Sequence, residues 1–304
     1  MRLYLLGSLE LHDVHGARVE LAGLKQRALL ATLAVRAGHV VSAERLIAEV
    51  WGEHPPANTA NALQAHVRRL RKVVEAACGE PDRIVTRPPG YLLHLRPGET
   101  DAAEFVAEAA RARELAVTEP ARAIPLLRAA LGRWRGPALD GCVTGDVCAG
   151  EALLLEEHRL GALETFYDAN LRAGRHAEVI GELEETSAAY PMRERFYDQL
   201  MAALYRCDRQ SDAIAVYERA RRRLLHDLGV EPGPALRARM QSILSDPPAG
   251  GVTPVAPVRE QDLAETADLS RELAELQQRI ETLAERQELL LRSLRVLGAD
   301  RVAE

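Results

Sequence analysis

Asn61, Gln64, Ala65 and Arg68 recur at steps of one, three and four residues, which places them together on one face if residues 59–77 are helical. Their chemistry matches the edges of DNA bases. Arginine pairs bidentately with guanine, asparagine and glutamine pair with adenine, and alanine lets a backbone come close or meets a thymine methyl. Thr59, Arg69, Arg71 and Lys72 on the same stretch, and Arg83 and Arg87 beyond it, are the candidates for phosphate contacts. The opposite face is apolar. Leu63, Val67, Leu70, Val74 and Ala77 repeat at steps of four and three, so the segment reads as an amphipathic helix with its polar side turned to a partner.

Competing chemistry is absent from the sequence patterns. There is no His-Glu-x-x-His, no Gly-x-Ser-x-Gly, no Gly-x-Gly-x-x-Gly and no Gly-Lys pair for a phosphate loop, since Lys25 follows Leu24 and Lys72 follows Arg71. Glu156-Glu157-His158 lies among leucines and reads as a helix surface. Cys78, Cys142, Cys148 and Cys207 lack Cys-x-x-Cys spacing and read as buried free thiols. No catalytic residue, metal or cofactor is expected, and the chain is not expected to be an enzyme. Neither a secretory signal nor a long apolar span is present, so no membrane partner and a cytoplasmic location are expected.

The elements around the reading segment follow from its flanks. Residues 2–6 and 8–12, split by Gly7, and Val19–Leu21 read as three short strands. A helix from Leu24 to Ala37 stops at Gly38, and Ser42 caps a second helix that Gly52 ends. Asn58 or Thr59 caps the third. Residues 83–87 and 91–95 then flank Pro88-Pro89-Gly90 as a hairpin. Three strands, three helices and a hairpin in that order make a winged helix-turn-helix, with α+β character. Charge agrees with this division: residues 1–98 carry 13 Lys/Arg against 9 Asp/Glu, within a chain whose net charge is −6.

Past residue 100 only helical periodicity remains. Shifting the sequence by 34 residues aligns Arg175-His176-Ala177-Glu178-Val179-Ile180 with Arg209-Gln210-Ser211-Asp212-Ala213-Ile214, the period of tetratricopeptide units. Further helices are expected near 102–116, 120–133 and 151–172. Residues 247–262 are rich in proline and glycine and read as a linker. Leu269, Leu276, Leu283, Leu290 and Leu297 then recur every seventh residue, a leucine-zipper pattern over residues 263–298 that predicts a homodimeric coiled coil or a helix packed within the chain. The fold class is therefore mainly α: a winged helix (1–98), a tetratricopeptide-like all-α domain (101–246) and a C-terminal coiled coil.

Several stretches resemble one family. LKQRALLATLAVRAGHVVSAERL, VWGEHPPANTANALQAHVRRLRK and IVTRPPGYLL are similar to the OmpR-type winged helix of the Streptomyces antibiotic regulatory protein family. ALGRWRGPAL, YPMRERFYDQLMAALYR, RQSDAIAVYERARRRL and DLGVEPGPALRARMQSIL resemble its bacterial transcriptional activation domain. The resemblance implies an activator of a secondary-metabolite gene cluster that binds direct repeats near the promoter and recruits RNA polymerase through its sigma or alpha subunit. It also implies that the loop from Trp51 to Asn58, with Glu53 and His54, faces the polymerase. Asp208 stands where a turn glycine is usual in the family, and the zipper is outside its minimal pattern. Two other readings stay open: an adaptor whose helical domain binds a peptide or small molecule, and a repressor that occludes a promoter.

Overall fold

The computed structural model describes residues 1–142 and 145–245; the linker and zipper expectations fall on residues outside these. β1 (Arg2–Tyr4), β2 (Glu10–His12) and β3 (Arg18–Val19) form an antiparallel sheet in that order. α1 (Leu24–Val35) follows, and then β4 (Val41–Ser42), α2 (Ala43–Trp51) and α3 (Thr59–Cys78). β5 (Ile84–Arg87) and β6 (Gly90–Leu93) make the wing, with β6 in the centre of a second sheet ordered β4-β6-β5. Gly90 is obligatory there. A Cβ at this position would sit 1.8 Å from the Val41 carbonyl oxygen, so any side chain would push β4 off the wing.

α1 ends at Val35, two residues before the expected Ala37, whereas the caps read from the sequence at Ser42 and Asn58 form. Ser42 Oγ accepts from the Arg45 amide at 3.2 Å, Asn58 Oδ1 from the Asn61 amide at 3.3 Å, and Thr100 Oγ1 from the Ala103 amide at 3.2 Å. Gly79 closes α3 in the left-handed conformation.

The remainder is helical: α4 (Asp101–Thr118), α5 (Pro120–Leu131), α6 (Asp146–Arg172), α7 (His176–Ala189), α8 (Glu194–Arg206), α9 (Gln210–Leu228) and α10 (Pro234–Ser245). Successive helices pack as antiparallel pairs around Phe105, Phe166 and Phe196, the chain's three phenylalanines, all essentially inaccessible. The 34-residue repeat is real in three dimensions. α7 and α9 begin 34 residues apart, and the turns before them share a hydrogen bond, Arg175 N to Asn170 O and Arg209 N to Leu204 O. Gly174 (φ 76°) and Asp208 (φ 58°) occupy the same left-handed position in the two turns.

α6 begins at Asp146, five residues before the expected start. The cause is a cap from another element. Glu49 on α2, 2% exposed, accepts from the amides of Val147 (2.9 Å) and Cys148 (3.4 Å), so a buried carboxylate stabilises the first turn of α6. Asp101, at the start of α4, accepts in the same way from the amides of Leu5 (2.6 Å) and Leu6 (3.2 Å). Leu5, Leu6 and Gly7 in turn accept from the amides of Leu139, Arg135 and Asp140. The winged helix and the helical body thus share one continuous hydrophobic cluster and are tied through backbone hydrogen bonds. Cys148 lies in this joint, its sulfur 3.5 Å from Thr32 Oγ1, and burial pushes its thiol up to about 11. Among the described residues, no helix is long and apolar enough to cross a membrane.

Candidate nucleic-acid interface

α3 is held by its apolar stripe: Leu63, Val67, Leu70, Val74 and Ala77 are each at most 2% exposed. Fixing that stripe fixes the opposite face. Asn61, Gln64, Arg68, Arg69 and Lys72 are exposed, and Ala65 is half-buried. The side chains of Asn61, Gln64, Arg68 and Lys72 have no hydrogen bond or ion pair among the described residues. Arg69 only reaches back to the Ala65 carbonyl of its own helix, at 3.3 Å. A row of unpaired donors on a rigid helix is what an acceptor-rich groove requires. Arg87, at the tip end of β5, is likewise exposed and unpartnered among the described residues.

Three of the sequence-based candidates are committed elsewhere. Arg83 is 7% exposed, and its guanidinium clamps Glu99 in a fork of 3.0 and 2.9 Å while donating to the His94 carbonyl and pairing with Glu80 at 3.1 Å. It is a structural cation, and a phosphate cannot displace Glu99 without opening the core. Arg71 is half-buried. Its Nε donates to the Ile84 carbonyl and its Nη2 to Thr86 Oγ1, both at 2.8 Å, and it lies 5.8 Å from the Tyr91 ring centroid. Arg71 therefore sets the wing against α3 and does not lie free for a phosphate. Trp51 is 9% exposed, edge-on to His66 at 5.6 Å, and so anchors the loop after α2 instead of being presented by it.

The rest of that loop is displayed. Glu53 and His54 are exposed, and the His54 amide donates to the Trp51 carbonyl at 3.1 Å. Asn58 serves as the α3 cap, and Thr59 Oγ1 donates to the Pro56 carbonyl at 2.6 Å, so both ends of the loop are pinned.

Sequence reasoning passed over Lys25, one of the chain's two lysines. It is exposed at the start of α1, 5.4 Å from the Trp51 ring centroid, and close enough to α3 to act on His66. His66 faces inward, and burial first, then Arg69 and Lys25, hold its imidazole below the ordinary value. Glu49 and Asp101 were also missed. For Glu49 a signal existed, since it falls on the apolar stripe of α2 with Leu46 and Val50; for Asp101 there was none.

A reading helix braced by a wing, fused to stacked helical pairs, defines a transcription regulator with an OmpR-type winged helix and a tetratricopeptide-like domain. The family described as "Transcriptional regulatory protein, C terminal" matches residues 16–93, and that described as "Bacterial transcriptional activator domain" matches residues 100–244. The chain is 43% identical to the transcriptional regulator RedD of Streptomyces coelicolor over 251 residues, 82% of this chain and 71% of that protein. It is 36% identical to the regulatory protein DnrI of Streptomyces peucetius, over 82% of this chain and 93% of that one. A solved structure, Mycobacterium tuberculosis EmbR in complex with a low-affinity phosphopeptide, superposes with a TM-score of 0.76 at 36% identity, covering 81% of this chain and 65% of that chain. The protein belongs to the Streptomyces antibiotic regulatory protein family.

Proposed function

We propose that this chain activates a secondary-metabolite, antibiotic-type gene cluster by binding direct repeats near a promoter and recruiting RNA polymerase through its sigma or alpha subunit. The observation that carries the reading is the unpartnered outer face of α3. Asn61, Gln64, Ala65 and Arg68 read bases, and Arg69, Lys72 and Arg87 hold phosphates, with Lys25 adding positive potential beside them, while the Thr59 hydroxyl is turned back to the Pro56 carbonyl. Glu53 and His54 on the displayed loop meet the polymerase.

In this reading residues 1–98 bind DNA, 101–246 form the regulatory helical domain, 247–262 link, and 263–298 pair two chains as a parallel coiled coil. A parallel zipper has a two-fold axis, which direct repeats do not share. A linker of roughly 16 residues has an r.m.s. span of about 20–25 Å, long enough to uncouple that axis from the DNA-bound heads. The zipper then raises effective concentration without setting operator symmetry.

The test is a defined transcription system with purified protein, polymerase and the repeats upstream of the neighbouring genes. Output should rise with the wild-type chain. The double substitution Glu53→Ala/His54→Ala should keep operator affinity and lose most of the stimulation. A parallel fall of affinity and output would make the loop a DNA contact, and lowered output with wild-type protein would make the chain a repressor.

A further inference from the structure

α9 carries two stripes. Ala213, Val216, Ala220 and Leu224 are buried against the neighbouring helices, the ordinary means by which a helix joins a stack. Arg219, Arg222, Arg223 and His226 fall at the same intervals of three, four and seven, but they line an open groove of about 720 Å³. The groove runs between α7 and α9, the first helices of the two 34-residue units. Tyr197 of α8 borders it as well.

The charges in the groove are poorly balanced. Glu184 accepts from Arg219 at 2.6 Å and is the only acid lining it among the described residues. Arg223 and His226 share Asp227, whereas among the described residues the guanidinium of Arg222 has only the Glu218 carbonyl of its own helix, at 3.4 Å. Tyr197 is 3% exposed, yet its hydroxyl has no hydrogen-bond partner among the described residues although it belongs to the groove lining. The hydroxyl oxygen is not among the buried polar atoms that lack a partner, so it opens into the groove and is available there to donate to water or to a ligand.

We infer that this groove is a docking site for an acidic, extended peptide segment of a partner protein. Glu184 already displays the chemistry, a carboxylate on a guanidinium, which is the charge-assisted pairing arginine makes best. A second carboxylate reaches Arg222 and Arg223, the Tyr197 hydroxyl donates to a carboxylate or carbonyl of the segment, and an apolar residue packs on Ala188 and Pro191. A cleft between two helices admits one extended chain but not a duplex. The site lies on α9 and is independent of the α3 reading face.

The experiment uses the full chain and fluorescence anisotropy at about 50 mM salt, where charge pairing is little screened. The probes are fluorescein-labelled decaglutamate and decaglutamine. Decaglutamate should bind and decaglutamine should bind at least roughly tenfold more weakly, with affinity falling as salt rises. Arg222→Ala/Arg223→Ala should cost the acidic peptide about tenfold or more while leaving the melting temperature and operator affinity unchanged. Tyr197→Phe should cost roughly threefold to tenfold, the worth of one hydrogen bond. Three outcomes overturn the inference: equal binding of both peptides, loss of binding on Arg68→Ala/Lys72→Ala with none on the α9 variant, or displacement of the peptide by random duplex together with loss of duplex binding by the α9 variant.

Discussion

Arg68 and Arg83 belong to the same winged helix, and they have opposite surroundings. Arg68 stands on the outside of α3 with no partner among the described residues, while Arg83 sits behind the wing with Glu99, Glu80 and the His94 carbonyl around it. The first leaves an unneutralised charge where an anionic surface can complete it. The second is complete already. What separates a binding arginine from a structural one here is the carboxylate within reach, and residue type and proximity to the reading helix do not predict it. Arg71 stands between the two, partly exposed yet bonded to the wing, and it links recognition to architecture.

The largest expected effect tests the structural side. Arg83→Ala leaves the buried Glu99 with only the Arg96 amide at 2.7 Å and the Met1 ammonium at 4.0 Å, a loss of counter-charge that costs up to about 3–5 kcal/mol. Urea unfolding of the variant should show most of that loss, and the fraction that remains folded should bind operator DNA with near wild-type affinity. A stable variant with weakened DNA binding would reverse the assignment and return Arg83 to the phosphate contacts.

The next tests the binding side. Arg68→Ala should remove roughly 1–3 kcal/mol of discrimination between specific and scrambled duplexes, whereas Lys72→Ala should weaken both equally and reduce the salt dependence by about one counterion. Both should melt within a degree or two of wild type, because neither side chain holds anything in the fold. Equal loss on both duplexes for Arg68→Ala would make it a phosphate contact.

Much of this architecture was legible because it is periodic or local. The stripe from Leu63 to Ala77, the Ser42 cap, the Pro-Pro-Gly hairpin and the 34-residue repeat are each fixed by residues close together in sequence. The candidate site was legible to the same extent: its outward face followed from its inward one. What escaped was long-range. Arg83 is claimed by a glutamate 16 residues on, and the first turn of α6 is capped by Glu49, 98 residues before it. No local pattern announces such a partner, since a side chain's commitment depends on which distant segment folds against it.

A smaller effect probes the repeat. Asp208 holds a φ of 58° where the preceding unit has Gly174, and a left-handed conformation costs an L-residue about 1–2 kcal/mol, somewhat less for aspartate. Asp208→Gly should recover part of this, about 0.5–1 kcal/mol, and raise the melting temperature by a few degrees. An unchanged or lowered melting temperature would mean that Asp208 contributes more through its side chain than it loses through its backbone.

The smallest effect concerns His66, a half-buried imidazole on α3 with Arg69 and Lys25 nearby. Burial and these two cations hold its folded pKa below the unfolded value of roughly 6.5. The unfolded chain therefore binds more protons than the folded one across the interval between the two values, and stability falls as pH drops through it. Above that interval the imidazole is neutral in both states and contributes no slope. His66→Gln keeps a polar side chain and removes the proton, so the difference in stability between wild type and variant should be flat above about pH 7 and should shift in favour of the variant on acidification. A pH-independent difference would show that His66 is as well solvated as the outer face of the same helix, and would erase the contrast between the two sides of α3.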